Sequence, residues 1–453
     1  MFKQSLSFLV VFTLGGWGTA AADSGSGTPV AGARQQPAVV DHDREDAGPP
    51  LTLDAALTEA LEKNPELIAL RRQFDAARQR PAQERFLGAP TFEAQIWQWP
   101  IDTVNPANAR MYMFTLGQDI PGPGKRRLRQ AVAEKDVQLA EADVTLRARD
   151  VIERVRRAYA ELFLARKAIE VHHASVDVLR QLADVAQAKY ATGRISQQDV
   201  LKAVVELSRI HDHLITIQEQ AHLAEAELNT LLDRPPDAAI GRLAEPHERV
   251  LLPSSDMLQQ LALAHQPELA IARLGLERAE ARLAVVNRDD KPDFFAAGGY
   301  MLMPNDRDAW MATVGVTWPT APWSRGRVDA RRAEAAADIA TFNARVRAVE
   351  NALRLAVQQA YVRVKAAEQR AALLRTTILP QSEQTLEVSR AAYQTDRVDF
   401  LAIIDNQRVR LDAQVDYYRA LSDLEQAFAE LERAVGTDIG PSMIADVKAQ
   451  GEQ

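Results

Sequence analysis

Methionine is the residue type in this chain best placed for chemistry. Five of its eight methionines fall at alternating positions in short segments of alternating polarity, and these are Met111, Met113, Met301, Met303 and Met311. Because successive side chains point to opposite faces of a strand, methionines two residues apart share one face. Thioethers are soft ligands that suit Cu(I) or Ag(I). The alternative is that these methionines only fill space, as methionine does in many apolar surroundings.

Histidines form a second set of candidate ligands. His172, His173, His211 and His213 each lie about 20 residues from Gly193, where a long helical segment is interrupted, which is roughly 30 Å along a helix. If the chain folds back at Gly193, the four imidazoles reach one height and could bind a divalent metal. The alternative is a row of solvated histidines on a helix surface.

No motif in the sequence indicates catalysis, so we predict no enzyme activity and no cofactor. Gly122-Pro123-Gly124-Lys125 is not a phosphate-binding loop, because the upstream glycine spacing and the following Ser or Thr are missing. The chain has no cysteine, which excludes disulfides, thiolate metal sites and catalytic thiols.

Composition and the N-terminus indicate an exported protein. Residues 1–22 predict a signal peptide, with Lys3, a short apolar run and a small-residue cleavage site at Ala20-Ala21-Ala22. Residues 23–50 predict a disordered leader. The chain has 453 residues and a net charge of −8, which argues against nucleic-acid binding and permits a cationic cargo. No apolar stretch is long enough for a transmembrane helix.

The candidate ligands belong to two copies of one plan. Asn64-Pro65-Glu66-Leu67 recurs as Gln266-Pro267-Glu268-Leu269, displaced by 202 positions, and Tyr190 recurs as Tyr393, displaced by 203. A repeat this long indicates two related half-domains rather than a solenoid. We therefore predict a first repeat at 51–236, a linker at 237–253, a second repeat at 254–436 and a C-terminal tail at 437–453.

Each repeat is predicted as a helix, two strands and a long helical hairpin. In the first repeat the predicted helices are 51–86, with a break at Pro65, 125–192 and 195–232, and the predicted strands are 91–101 and 109–120. In the second, a helix at 258–287 precedes strands at 293–303 and 309–319. A helical stretch at 327–435 follows, broken at Pro380 and turning near Asp396. Helices this long must pack along one another in a coiled-coil-like wall.

The strands carry the pattern of transmembrane β-strands. In the fourth, Trp310, Val314 and Trp318 alternate with polar or small residues, and the two tryptophans are roughly 26 Å apart at strand rise. Aromatic residues at both ends of an alternating apolar face are typical of barrel strands in an outer membrane. The alternative is a half-buried soluble sheet.

One chain offers too few strands to close a barrel. Membrane barrels have about eight strands or more, and an open sheet edge cannot exist in hydrocarbon. The chain must therefore oligomerise, and three copies would supply twelve strands. The predicted fold class is mainly α with a small β part, in which long helices form an α-barrel below a 12-stranded transmembrane β-barrel closed by trimerisation.

Several segments together resemble the TolC-like outer-membrane channel proteins of tripartite efflux pumps. The resemblance rests on the repeated element at Asn64, on 118–125 (QDIPGPGK), on 190–193 (YATG), and on Asp405, Gln407 and Leu411. Segment 118–125 is most similar to the heavy-metal branch, which includes copper and cobalt–zinc–cadmium exporters. The resemblance implies a homotrimer in outer-membrane lipid, with helices crossing the periplasm to an adaptor protein and an inner-membrane pump. Many relatives carry a lipidated cysteine, which this chain lacks.

The resemblance also implies that the two helix turns form the periplasmic entrance. Aspartates just after the second turn narrow the entrance in the family and favour cations. Asp405 matches one such position, whereas the position three residues earlier is Ala402. Asp399 could compensate, and Asp199 lies at the equivalent place after the first turn. In a trimer each acid would form a ring that attracts cations, and the alternative is that all are solvated surface charges.

Two arginines lie in the predicted turns. Arg194 follows Gly193, and Arg397 lies at the matching place in the second repeat. They could latch neighbouring hairpins, although a surface ion pair contributes only about 0–1 kcal/mol.

Two hypotheses of function follow. The first is a passive exit duct of a tripartite efflux system in the outer membrane, with helices extending into the periplasm and heavy-metal cations as candidate substrates. The second is an exported periplasmic coiled-coil scaffold without channel activity. Membrane fractionation and a conductance assay separate them.

Overall fold

The computed structural model describes residues 50–245, 249–395 and 397–439. The predicted signal peptide, nearly all of the predicted leader and most of the predicted tail lie outside these ranges. Within the described part, both halves have the same order of elements: short helices, two strands, and then a long helical hairpin.

The first half contains α1 (Leu53–Lys63), α2 (Pro65–Ala77), α3 (Arg80–Gln83), β1 (Thr91–Trp97), β2 (Met111–Ile120), α4 (Lys125–Ala191) and α5 (Gln197–Leu231). The second contains α6 (Ser255–His265), α7 (Pro267–Arg288), β3 (Phe294–Leu302), β4 (Ala309–Val316), α8 (Arg325–Leu373), α9 (Leu379–Gln394) and α10 (Phe400–Val435). The first helix predicted in each half is thus interrupted, at Asn64 and again after Ala77 in one half and at Gln266 in the other.

The long helices pack along one another, as their length requires. Helix α4 has 67 residues and would extend roughly 100 Å. It packs against α5 on one side and α10 on the other, and α10 in turn packs against α8 and α9. Each half has its own cluster of buried apolar residues beside its short helices, and a third cluster, which includes Tyr393 and Phe400, joins the two hairpins near their turns.

The repeated Asn-Pro and Gln-Pro elements have one structural role. Asn64 is buried, its Oδ1 accepts a hydrogen bond from the backbone N–H of Glu66, and its Nδ2 donates to the carbonyl of Leu231 at 3.1 Å. Gln266 likewise caps α7 and donates to the carbonyl of Arg433 at 2.9 Å. In both halves, one amide side chain therefore begins a short helix and also holds the far end of the hairpin.

Replacing Asn64 with alanine is expected to lower the free energy of unfolding by about 2 kcal/mol, because a helix cap is lost and a buried carbonyl loses its donor. The midpoint of thermal unfolding of the purified protein measures the loss. The control is Thr52→Ala, which removes only the exposed cap of α1. An equal loss in both variants would mean that the Asn64–Leu231 contact contributes nothing.

The four strands form one antiparallel sheet in the order β1-β2-β3-β4. Each is shorter than predicted. The first ends at Trp97 rather than residue 101, because Gln98 has a φ of 56° and Pro100 follows. The second starts at Met111 because Pro106–Asn108 forms a 3₁₀ turn. The fourth ends at Val316, which leaves Trp318 beyond the strand.

The Pro-Gly segment after β2 ties the strands of the two halves together. The N–H of Gly122 donates to Oδ1 of Asp293 at 2.6 Å, and the buried Nζ of Lys125 lies 2.9 Å from the same oxygen. A Cβ on Gly122 would lie 2.3 Å from the carbonyl oxygen of Pro292, so only glycine fits there. This contact sets β2 beside β3 at the point where α4 begins.

The predicted break at Pro380 is milder than expected. A π-helical turn, Leu374–Ile378, follows α8, and Pro380 lies in the first turn of α9. The π turn accommodates the missing N–H of proline, so the helix continues with only a local change.

The described parts of the predicted linker at 237–253 pack against the long helices. The guanidinium of Arg166 donates to the carbonyls of Gly241 and Ile240, and Ile240 is buried. Near its end, Nζ of Lys365 donates to the carbonyl of Leu251 at 2.6 Å. The segment therefore lies against the hairpins of both halves.

Candidate functional site

One face of the sheet is apolar and open. The register aligns Trp310 with Tyr300 and Tyr300 with Phe114, and the rings of Trp310 and Tyr300 meet edge to face at 5.2 Å. Trp310 is 82% exposed and Val314 is 84% exposed. Apolar side chains this open on a sheet face indicate a surface that another apolar phase covers.

The opposite face combines polar residues with the candidate methionines. Met113 lies opposite Gln95 on one side and Met301 on the other. Thr115 lies opposite Glu93 in the next row of this face. The register thus brings Met113, Met301 and Met311 onto one face, with Met111 at its edge, whereas Met303 lies just beyond β3.

The two hairpins turn where the repeat predicts. Gly193 follows α4 with a φ of 70°, a conformation that favours glycine, and its N–H donates to the carbonyl of Tyr190 at 2.8 Å. The second turn lies between α9 and α10, and Asp396 in it is outside the described residues. The N–H of Arg397 donates to the carbonyl of Ala392 at 2.9 Å, so this arginine lies in the turn as predicted.

The predicted entrance acids have different local partners. Asp199 accepts a hydrogen bond from Oγ of Ser196 at 3.1 Å. Asp399 caps α10, with Oδ1 accepting from the N–H of Ala402 at 3.0 Å. Asp405 is exposed one turn further on. Asp399 thus has a helix-capping role that the sequence prediction did not include, and all three acids lie at the hairpin ends, as do the exposed Arg194 and Arg397.

Sequence reasoning missed the polar contacts that join the two hairpins. Nε of Arg408 on α10 donates to Oε1 of Glu206 on α5 at 2.6 Å, and a second hydrogen bond makes the contact bidentate. The Arg408 hydrogen bonds lower the pKa of the Glu206 carboxyl, against an opposing effect of burial. These two residues are 202 positions apart, which is the repeat offset, so a search for charge pairs at that offset could have found them.

Two further contacts support the same junction. Nε2 of Gln407 donates to Oγ of Ser175 at 3.0 Å within the interior. Closer to the turns, Nζ of Lys189 donates to the carbonyl of Tyr393 at 2.6 Å and lies over its ring. We call these two contacts and the Arg408–Glu206 pair the hairpin junction.

The four predicted histidine ligands do not assemble into one site within a chain. The rings of His172 and His213 approach to 6.4 Å between centroids, at the height predicted. Across the described residues, however, no group of three or more His, Cys, Asp or Glu side chains is placed to hold a metal ion. Adjacent residues on a helix point in different directions, so His172 and His173 cannot face the same partner.

His172 and His213 instead line a groove of about 920 Å³ between α5 and α10. His172 is buried on α4, and its Nδ1 lies 2.7 Å from the carbonyl oxygen of Ala168. Burial lowers the pKa of His172 and His213 lowers it further, whereas the Ala168 hydrogen bond and Asp412 oppose the shift.

The stability of the hairpins is expected to fall as pH falls from about 7.5 to 5.5. The lowered pKa means that folded His172 resists a proton that the unfolded chain accepts below about 6.5, so acid favours unfolding. His172→Gln should reduce this drop in the midpoint of thermal unfolding. His211→Gln, at an exposed position on α5, should behave as the wild type does. If the His172 variant lost as much stability as the wild type, protonation of His172 would not cause the drop.

Among the residues described, no helix has the length and apolar composition to cross a membrane.

Comparison with known proteins gives three kinds of match. The family model described as "Outer membrane efflux protein" matches residues 56–234 and 258–437, one segment in each half. The cobalt-zinc-cadmium resistance protein CzcC of Cupriavidus metallidurans is 26% identical over 400 residues, covering 87% of this chain and 91% of that protein.

Solved structures share the fold. The outer membrane protein VceC of Vibrio cholerae superposes with a TM-score of 0.69 at 20% identity, over 86% of this chain and 97% of that chain. The CmeC outer membrane channel of Campylobacter jejuni does so with a TM-score of 0.71 at 13% identity, over 90% of both chains.

Proposed function

Because this chain belongs to the outer membrane efflux protein family, we propose that it is the exit duct of a tripartite efflux system and passively conducts heavy-metal cations from periplasm to exterior. It is an outer-membrane efflux channel whose helices extend into the periplasm, and its family consists of channels rather than enzymes. In the proposal the hairpin ends receive substrate from a periplasmic adaptor protein and an inner-membrane pump. Family membership does not favour the alternative of a periplasmic scaffold without channel activity.

The open sheet supports a homotrimer as the assembly of the duct. The described residues of one chain form four strands in an open sheet, and its apolar face carries Trp310 and Val314. Lipid can cover that face, but it cannot form hydrogen bonds with the unpaired backbone N–H and C=O groups at the free edges of β1 and β4. Three copies supply twelve strands and close the edges into one barrel, with the polar face inside.

The helices support the same assembly. Within the chain, the helical wall runs from α5 through α4 and α10 to α8 and α9, so α5 and α8–α9 form its two edges. Both edges carry apolar side chains that are more than half exposed. They are Leu201, Val205, Ile215 and Leu223 on α5, and Leu355, Val362, Leu373 and Val388 on α8 and α9. A head-to-tail ring would bury one edge against the other.

The acidic residues of the entrance and one relative support cations as the substrates. The chain has a net charge of −8, and Asp199, Asp399 and Asp405 lie at the hairpin ends. Three copies would set each carboxylate in a ring, which attracts cations. CzcC, by name a cobalt-zinc-cadmium resistance protein, supports heavy metals as the class.

Single-channel recording in planar bilayers tests the proposal. The purified protein should run as a trimer in detergent and should give stepwise currents that carry cations in preference to anions. A cell lacking the protein should become more sensitive to heavy-metal salts. A monomer that stays in solution without detergent and gives no current would refute the duct.

A further inference from the structure

The polar face of the sheet has a chemical character that channel function alone does not require. Met113 and Met301 are directly opposite each other across β2 and β3. Met311 lies opposite Gly299, and its methyl carbon is 3.4 Å from where a Cβ on that glycine would be. The missing side chain at position 299 leaves room for Met311 to lie across β3. Diagonal neighbours on a sheet are about 7–8 Å apart, within reach of long side chains.

Space filling does not account for these methionines. All three are partly exposed, and none of them belongs to the clusters of buried apolar residues in the described part of the chain. Their neighbours on this face include Gln95 and Thr313, which are exposed and polar, and the small residues Ala309 and Gly299. The thioether sulfurs on this face are therefore accessible to water. These methionines contribute less hydrophobic stabilisation than buried ones would, but they are available as soft ligands.

We infer that Met113, Met301 and Met311 form a thioether site for a soft monovalent cation, Cu(I) or Ag(I), on the inner face of the barrel. The inference rests on the proposed function, because that function sets this face inside. Neutral sulfur ligands prefer soft cations to hard ones such as Mg²⁺ or Na⁺. Repeated in three copies, the site forms a band that a cation enters and leaves in steps, as conduction requires. Met111 and Met303 extend the band toward the outer ends of the strands.

Silver nitrate is the probe, in chloride-free solution. Isothermal titration of the purified full-length protein should give Ag(I) binding that falls at least tenfold in affinity in Met113→Leu/Met301→Leu/Met311→Leu. Leucine keeps the volume and removes the sulfur. The matched control is Met257→Leu, which replaces a partly exposed methionine on α6, away from the sheet, and should bind as the wild type does. Ag(I) bound at histidines is common to all variants and cancels in the comparison.

A current recording separates this inference from the proposed function. In potassium nitrate, micromolar Ag(I) should reduce the current of the wild type below its silver-free level, whereas the triple variant should keep its own silver-free current. Equal Ag(I) affinity in the wild type and the triple variant overturns the thioether site. Absence of current from both proteins overturns the duct and leaves the binding result to stand. If the triple variant fails to trimerise, Met301→Leu alone should weaken Ag(I) binding at least twofold, and no change there also overturns the site.

Discussion

Val314→Arg is expected to remove the protein from the outer membrane. Val314 lies on the apolar face of β4, opposite Ala296, and is 84% exposed in the single chain. An arginine facing lipid near the middle of a bilayer costs about 2–4 kcal/mol, and a trimer would carry that cost three times. The amount of trimer in the outer-membrane fraction should therefore fall at least tenfold.

The neighbouring residue supplies the control. Thr313 precedes Val314 on the same strand and points to the polar face, opposite Ala297. Thr313→Arg adds the same charge on the side proposed to face water, so the trimer should still reach the membrane. If both arginine variants assemble equally well, the assignment of the two sheet faces is wrong.

Arg408→Ala is expected to open the periplasmic entrance. Arg408 and Glu206 form the charged part of the hairpin junction, and the Glu206 side chain is 8% exposed. Removing one partner of a buried pair costs about 3–5 kcal/mol, but Arg408 is 42% exposed, so about 1–2 kcal/mol is a better measure. That free-energy change corresponds to a roughly tenfold larger population of the state in which the two hairpins are separated at this contact. Open-channel time in bilayers, and uptake of large antibiotics by cells, should rise accordingly.

Two variants test whether the bridge between hairpins is the cause. Arg209 lies 3.8 Å from the same carboxylate but on the same helix, so Arg209→Ala removes a nearby cation without unlinking the hairpins and should leave the current unchanged. The exchange Glu206→Arg/Arg408→Glu restores the pair and should restore the closed entrance. An unchanged current in Arg408→Ala would show that the hairpin junction does not hold the entrance.

The Arg408–Glu206 pair keeps its stabilising effect down to a pH below the usual pKa of glutamate. Because its pKa lies below the usual value for glutamate, about 4.5, Glu206 stays ionised while ordinary glutamates begin to protonate. The stabilisation from this pair is therefore present above the unfolded pKa and is lost only as pH falls through the lower folded value.

The sequence contained the plan of the fold because its signals are local or periodic. The absence of glycine and proline from 125–192 predicted α4, the alternation around Trp310 predicted β4, and the repeat of Pro65 at Pro267 predicted two equivalent halves. The mainly helical fold with a small sheet and the resemblance to outer-membrane efflux channels are both confirmed. Element ends were less well predicted, since a single dihedral at Gln98 ended β1 early.

For the candidate sites too, the sequence predicted the features that depend on local pattern and not those that depend on the assembly. Strand alternation alone set Met111 and Met113 on one face, and hairpin symmetry alone set His172 level with His213. The proposed roles of the entrance aspartates and of the methionines stay predictions, because they depend on how copies of the chain face one another.

The sequence by itself determined which segments are helix and strand, where each hairpin turns and that two halves share one plan, since neighbouring residues decide these features. Only the tertiary structure decided which side chains meet across the hairpins. Arg408 finds Glu206, and His172 meets one histidine rather than three, because the rotation and register of packed helices are set by many distant contacts at once. Successive residues of a helix point in different directions around its axis, and sequence spacing alone does not say which of them face the neighbouring helix.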